Sequence, residues 1–146
     1  MAVSAKNLHI YTAIKQKEDR SAIEDTLVLD GFDVSSFGSP EELWAAFEER
    51  PARMIIIDRK FGATLEGLKL VRKLRAKYQL PYVFVVMLSR GSKLAEIEEG
   101  IAAGVDDYLI KPHNPFQLRS RIMVGIRWLR YIDSLFERGT AQKKRQ

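Results

Sequence analysis

Met54-Ile55-Ile56-Ile57-Asp58 is an unbroken apolar run closed by a carboxylate. The Val-rich run Tyr82–Leu88 repeats the pattern and is followed by the hydroxyl of Ser89. Neither run alternates apolar with polar residues, as a strand with one wet face does. Strands that are apolar on both sides belong in a parallel sheet covered by helices on both faces. Between the two runs, Leu68, Val71 and Leu74 recur at helical spacing, so this part of the chain reads strand, helix, strand.

The same alternation extends in both directions. On the N-terminal side, Leu8–Ile14 is strand-like, and Ala22, Ile23, Thr26 and Leu27 mark a helix over Asp19–Asp30 that Gly31 ends. Phe32–Phe37 reads as a second strand. Ser39-Pro40-Glu41-Glu42 then starts a helix, with Ser at the N-cap, Pro at N1 and Glu at N3; it carries Leu43, Trp44 and Phe47 and ends near Pro51. On the C-terminal side, a helix over Lys93–Ala103 stops at Gly104, a short strand Tyr108–Ile110 runs into Lys111-Pro112, and Asn114-Pro115 opens the last helix. Strand–helix units repeated five times predict an α/β fold. They are too few for an eight-stranded barrel. The expectation is therefore an open, doubly wound parallel sheet of five strands.

Composition narrows the function classes. The 146 residues suit one domain. There is no cysteine, which excludes disulfides, thiolate metal sites and a thiol nucleophile. His9 and His113 have no zinc spacing. No apolar run approaches membrane-spanning length, and MAVSAKNLHI lacks a signal-peptide core, so the expected location is cytoplasmic. The net charge of +5 is concentrated at the end: residues 113–146 hold eight Lys/Arg and two Asp/Glu.

In an open parallel sheet, ligands bind outside the C-terminal strand ends. The first strand is followed by Lys15, Gln16, Lys17, Glu18 and Asp19, the third ends in Asp58, and Ser89 and Lys111 follow the fourth and fifth. A single Asp after a strand is ordinarily a turn or cap residue. A carboxylate, a hydroxyl and an ammonium ending three buried strands converge on one edge.

At these residues the chain resembles the receiver domains of bacterial response regulators, over about residues 6–125. The matching segments are Met54–Asp58, Gly67-Leu68, Tyr82–Ser89 and above all Ala102-Ala-Gly-Val-Asp-Asp-Tyr-Leu-Ile-Lys-Pro112, which is similar to the family's AGADDYLxKP signature. The resemblance implies a CheY-like (flavodoxin-like) fold of sheet order 2-1-3-4-5, with Asp58 as phosphoacceptor toward a histidine kinase's phosphohistidine. Lys111 would be the lysine that pairs with the phosphoryl oxygens, Ser89 the hydroxyl that bonds the phosphoryl group, and Tyr108 the aromatic switch. It also implies a cis Lys111-Pro112 bond and a protein that is not an enzyme beyond its own phosphorylation and dephosphorylation.

Two departures stand out. Receivers carry two adjacent acidic residues after the first strand, which hold Mg²⁺ together with the phosphoacceptor. Counting back from Gly31 puts that pair on Ile14 and Lys15, neither of which binds a cation. The carboxylates left for Mg²⁺ are Asp58 and, were the loop longer than usual, Glu18 and Asp19, whose ordinary role is to complement a helix N-terminus. The Lys15 ammonium is expected to pair with Asp58 in place of the metal. After Asp58 the family usually has proline four residues on and glycine eight on; here Gly62 holds the first place, the glycine before the helix is Gly67, and the loop opens with Arg59-Lys60.

Phe116, Ile122, Ile126, Leu129, Ile132 and Phe136 extend the last helix to about Arg138. Residues 1–125 read as the domain and 126–146 as a helix extension with a basic tail. Its stripe Trp128–Phe136 is expected to lie beyond the core and to serve a protein partner or a homodimer. The leading reading is an atypical receiver with weak or no Mg²⁺-dependent phosphorylation that acts through protein contacts. Its rivals are a competent Mg²⁺-dependent receiver using Glu18 or Asp19, a nucleic-acid-binding protein using the basic last helix, and a small flavodoxin-like enzyme. The basic residues have few interleaved aromatics and no reader motif accompanies them, and no glycine-rich phosphate loop follows strand one, which ranks the last two behind.

Overall fold

The computed structural model describes residues 3–4, 7–91 and 93–145, with side chains through residue 139. The elements alternate in chain order: β1 (His9–Ala13), α1 (Lys17–Leu29), β2 (Asp33–Phe37), α2 (Pro40–Glu49), β3 (Met54–Asp58), α3 (Glu66–Lys77), β4 (Phe84–Ser89), α4 (Leu94–Ala103), β5 (Asp107–Ile110) and α5 (Pro115–Arg145). All four strand pairings are parallel, and the order is β2-β1-β3-β4-β5, as the sequence predicts.

Side chains of a strand alternate between sheet faces, and here both faces are dry. Ile55, Ile57, Val85 and Met87 point into a core with Leu43, Phe47, Leu68, Val71 and Leu74 of α2 and α3. Met54, Ile56, Phe84, Val86 and Leu88 point into the other, with Ile23 and Leu27 of α1 and Leu118, Ile122 and Leu129 of α5. The local signals operate as expected. Ser39 Oγ accepts from the Glu42 N–H at 3.2 Å, and Asn114 and Gln117 cap each other reciprocally at 2.9 Å. Gly31 and Gly104, at φ of 88° and 114°, follow the ends of α1 and α4. The Lys111-Pro112 peptide is cis.

The last helix departs from expectation in its course. It is longer than predicted, 31 residues, yet its middle is not a free extension. Leu129 is fully buried in the α1/α5 core. Arg53, just before β3, grips Asp133 with two parallel bonds of 3.0 and 2.8 Å, and Arg130 Nε donates to the carbonyl of Val3. What stays outside is Trp128, Tyr131, Leu135 and Phe136, each about half exposed. The sequence reading took Leu129 for part of that stripe; helical rotation puts it one step around, on the sheet side.

Candidate functional site

Backbone hydrogen bonds running past the strand ends set up the site. The Arg59 N–H donates to Leu88 O at 3.0 Å and the Lys111 N–H to Ser89 O at 2.8 Å, so the ends of β3, β4 and β5 stay in register as the strands give way to loops. Gly67, in the first turn of α3, closes the site from behind: a Cβ there would sit 1.7 Å from Asp58 O. Only glycine lets α3 start this close to the end of β3.

Asp58, Ser89 and Lys111 line one cavity of about 500 Å³ at this edge. Asp58 is 3% exposed. Its Oδ1 is 2.7 Å from Lys111 Nζ, and its Oδ2 accepts from the backbone N–H of Lys15 at 2.8 Å. Lys111 Nζ also lies 3.2 Å from Asp19 Oδ2, in ion-pair range but off line for a hydrogen bond, so that oxygen has no hydrogen-bond partner. Removing one member of a desolvated pair such as Asp58–Lys111 strands the other charge, a change that costs about 3–5 kcal/mol. Ser89 Oγ is turned to its own loop, donating to Gly91 O at 3.1 Å and accepting from Gly91 N at 3.3 Å.

The acidic-pair positions are resolved in an unexpected way. Ile14 is fully buried in the α1/α5 core, which turns the next residue toward solvent. Lys15 therefore meets Asp58 through its main-chain N–H, and its exposed ammonium forms no ion pair among the described residues. The expected Lys15–Asp58 side-chain pair is not formed. Glu18 is exposed in the first turn of α1 and stands apart from the cavity; Asp19, beside it in that turn, reaches the site only through Lys111. No group of three or more His, Cys, Asp or Glu side chains is placed to hold a metal among the described residues. The donor set does not fit Mg²⁺: one carboxylate has both oxygens engaged by the chain, and the other shares the same lysine.

Tyr108 lies outside this cavity. Its hydroxyl donates toward the carbonyl of Ile97 on α4 at 3.3 Å, and burial pushes its pKa up. It fits because residue 100 is glycine: a Cβ there would fall 1.5 Å from the Tyr108 oxygen.

Sequence reasoning missed Arg75 and the burial of Arg59. Arg59, which opens the basic loop after β3, is 7% exposed and lies 3.5 Å from Glu96 and 3.8 Å from Glu99 of α4. Arg75 of α3 donates to Gly104 O, Val83 O and Asp106. Asp106 also accepts from the Val85 N–H at 2.7 Å and from Tyr82 Oη. Burial raises the Asp106 pKa, against the opposing pull of Tyr82, Val85 and Arg75, and burial followed by the Asp106 bond pushes Tyr82 up to about 12. The first aspartate of the Asp106-Asp107 pair is thus a structural clasp. The longer loop after Asp58 closes on itself: Phe61 and Thr64 pair across Gly62, at φ 70°.

The chain was compared with known proteins. The family model for the response regulator receiver domain matches residues 16–123, beginning just past Ile14 and Lys15. Relatives include the response regulator GtcR of Aneurinibacillus migulanus, 32% identical over 87 residues (60% of this chain, 34% of that protein). The transcriptional regulatory protein GltR of Pseudomonas aeruginosa is 30% identical over 125 residues, 86% of this chain and 51% of that protein. The chain thus spans about half or less of these relatives' length. Among solved structures, the chemotaxis response regulator CheY4 of Vibrio cholerae aligns with a TM-score of 0.74 at 22% identity, covering 81% of this chain and 98% of that one. NtrX of Brucella abortus aligns at 0.81 and 20%, covering 94% and 29%; at such identities these two speak for the fold alone. Because the family model spans well over half of the sequence, the chain belongs to the response regulator receiver domains of two-component signalling systems.

Proposed function

We propose that this receiver works with a rewired phosphoacceptor site. Asp58 stands at the phosphoacceptor position, and its resting charge is held by Lys111 and the Lys15 N–H in place of a metal. Phosphoryl transfer depends on electrostatic stabilisation of the group in flight, which a divalent cation ordinarily supplies. With Ile14 and Lys15 at the acidic positions, transfer from a histidine kinase's phosphohistidine to Asp58 is slow or absent. Output then runs through protein contacts, with Ser89 and Tyr108 as the movable groups and the outer stripe of α5 as the contact face. The observation that supports this most is that both Asp58 oxygens are taken by donors of the chain itself.

A second reading has one observation in its favour. Asp19 Oδ2 is buried beside Lys111 without a hydrogen-bond partner, so a competent receiver could recruit it for Mg²⁺. A ligand that binds the folded state raises stability as its concentration passes its dissociation constant. Thermal unfolding of the full chain with and without millimolar Mg²⁺ separates the two: our reading gives no shift in Tm, whereas a rise that disappears in Asp19→Asn would establish the second.

A further inference from the structure

The cavity at the sheet edge is charged the wrong way for a divalent cation. Six cationic side chains line it, Lys15, Arg59, Lys60, Arg90, Lys93 and Lys111, against two anionic ones, Asp58 and Glu96. Lys111 is committed to Asp58 and Asp19. Lys15, Lys60, Arg90 and Lys93 form no ion pair among the described residues and are exposed on the cavity rim.

Arg59 is an independent sign. It is 7% exposed, its Nε is buried with no hydrogen-bond partner, and its contacts with Glu96 and Glu99 stretch to 3.5 and 3.8 Å. Burying a guanidinium without filling its donors is unfavourable. A pair of phosphate oxygens fills that fork in a bidentate fashion and is the partner to which its planar geometry is best matched.

We propose that this cavity binds a small diphosphate-bearing anion, noncovalently and without a metal. Its volume of about 500 Å³ falls in the range of small-molecule sites and exceeds what a single phosphate fills. The excess of cations over anions calls for more than one phosphate group. Asp58 stays neutralised by Lys111 and the Lys15 N–H, so the ligand meets the rim lysines and Arg59 and is not repelled by a bare carboxylate. Arg59 is also what joins the end of β3 to Glu96 and Glu99 of α4. An anion that takes over the guanidinium loosens that tie, so occupancy is reported to α4.

The inference shares its site with the function proposed above but is tested apart from it. Inorganic pyrophosphate is titrated calorimetrically into the full chain in EDTA, with amide chemical shifts followed in parallel. The expected result is one-to-one binding at least about tenfold tighter than inorganic phosphate, with shifts at Lys15, Arg59 and Gly91. The double variant Lys15→Gln/Lys93→Gln, altered only at exposed positions, should weaken it by about tenfold or more. Absence of saturable binding, undiminished affinity in the double variant, or shifts confined to the basic end of α5 would each overturn the proposal. Tight Mg²⁺ binding in a separate titration would contradict the metal-free receiver reading and leave this one standing.

Discussion

The two oxygens of Asp58 are held by donors of different origin, the ammonium of Lys111 at 2.7 Å and the main-chain N–H of Lys15 at 2.8 Å. The first was legible, because Lys111 follows a strand of the parallel sheet and so falls at the same sheet edge. The second was not: sequence names side chains, and nothing in it says which backbone N–H turns toward a carboxylate. Burial of Arg59 was hidden for a related reason, since a basic residue at the head of a loop reads as solvated until α4 is in place with Glu96 and Glu99 over it. His113 offers a test at this scale. Burial holds its pKa below the usual 6.5, Lys111 adds to the lowering, and the Asn114 backbone and the Asp19 carboxylate oppose it. The folded state thus disfavours the protonated ring. The contribution is fully present above pH 6.5 and is lost as pH falls from 6.5 through the lowered value. Thermal unfolding of wild type against His113→Gln across this window should show the wild type losing more stability on acidification. Parallel curves would remove His113 from the account.

α4 and β5 are joined by fits that a pattern of apolar residues does not encode. The stop signal at Gly104 was readable, but the clasp of Arg75, Tyr82 and Asp106 that holds the turn was not, because it links α3, β4 and β5 across long sequence separations. Gly100 shows the same limit. Inside a helix, glycine looks like a flaw of about 1 kcal/mol relative to alanine, whereas here it is the slot for the Tyr108 hydroxyl. Gly100→Ala should therefore destabilise the fold by about 1–3 kcal/mol despite its better helix propensity, as overpacking does. In Tyr108→Ala the same substitution should be neutral or stabilising. Urea denaturation of the four proteins in this double-mutant cycle reads the coupling; additive effects would mean that Tyr108 is not seated against α4.

At the scale of the molecule, the covered parallel sheet was legible because β3 and β4 are apolar on both faces, whereas its strand order was legible through the family resemblance. The last helix was only half legible. A periodic stripe shows that a helix is amphipathic but not how far the domain reaches along it, and Leu129 and Asp133 prove to be anchored by the core and by Arg53. Of the half-exposed residues outside, Trp128, Tyr131, Leu135 and Phe136, the first three lie at spacings of three and four that place them on one face. Sedimentation equilibrium at high micromolar concentration should detect self-association or, with a cognate partner, a complex that Trp128→Glu/Tyr131→Glu abolishes without unfolding the chain. A variant that associates as wild type does would exclude this face. The account turns most on what Asp58 does without an acidic pair beside it. The direct measurement is intact-mass detection of phosphorylation during incubation with a small phosphodonor, with and without Mg²⁺. The account predicts slow or undetectable labelling that Mg²⁺ does not accelerate; rapid, stoichiometric, Mg²⁺-dependent labelling that vanishes in Asp58→Asn would contradict it.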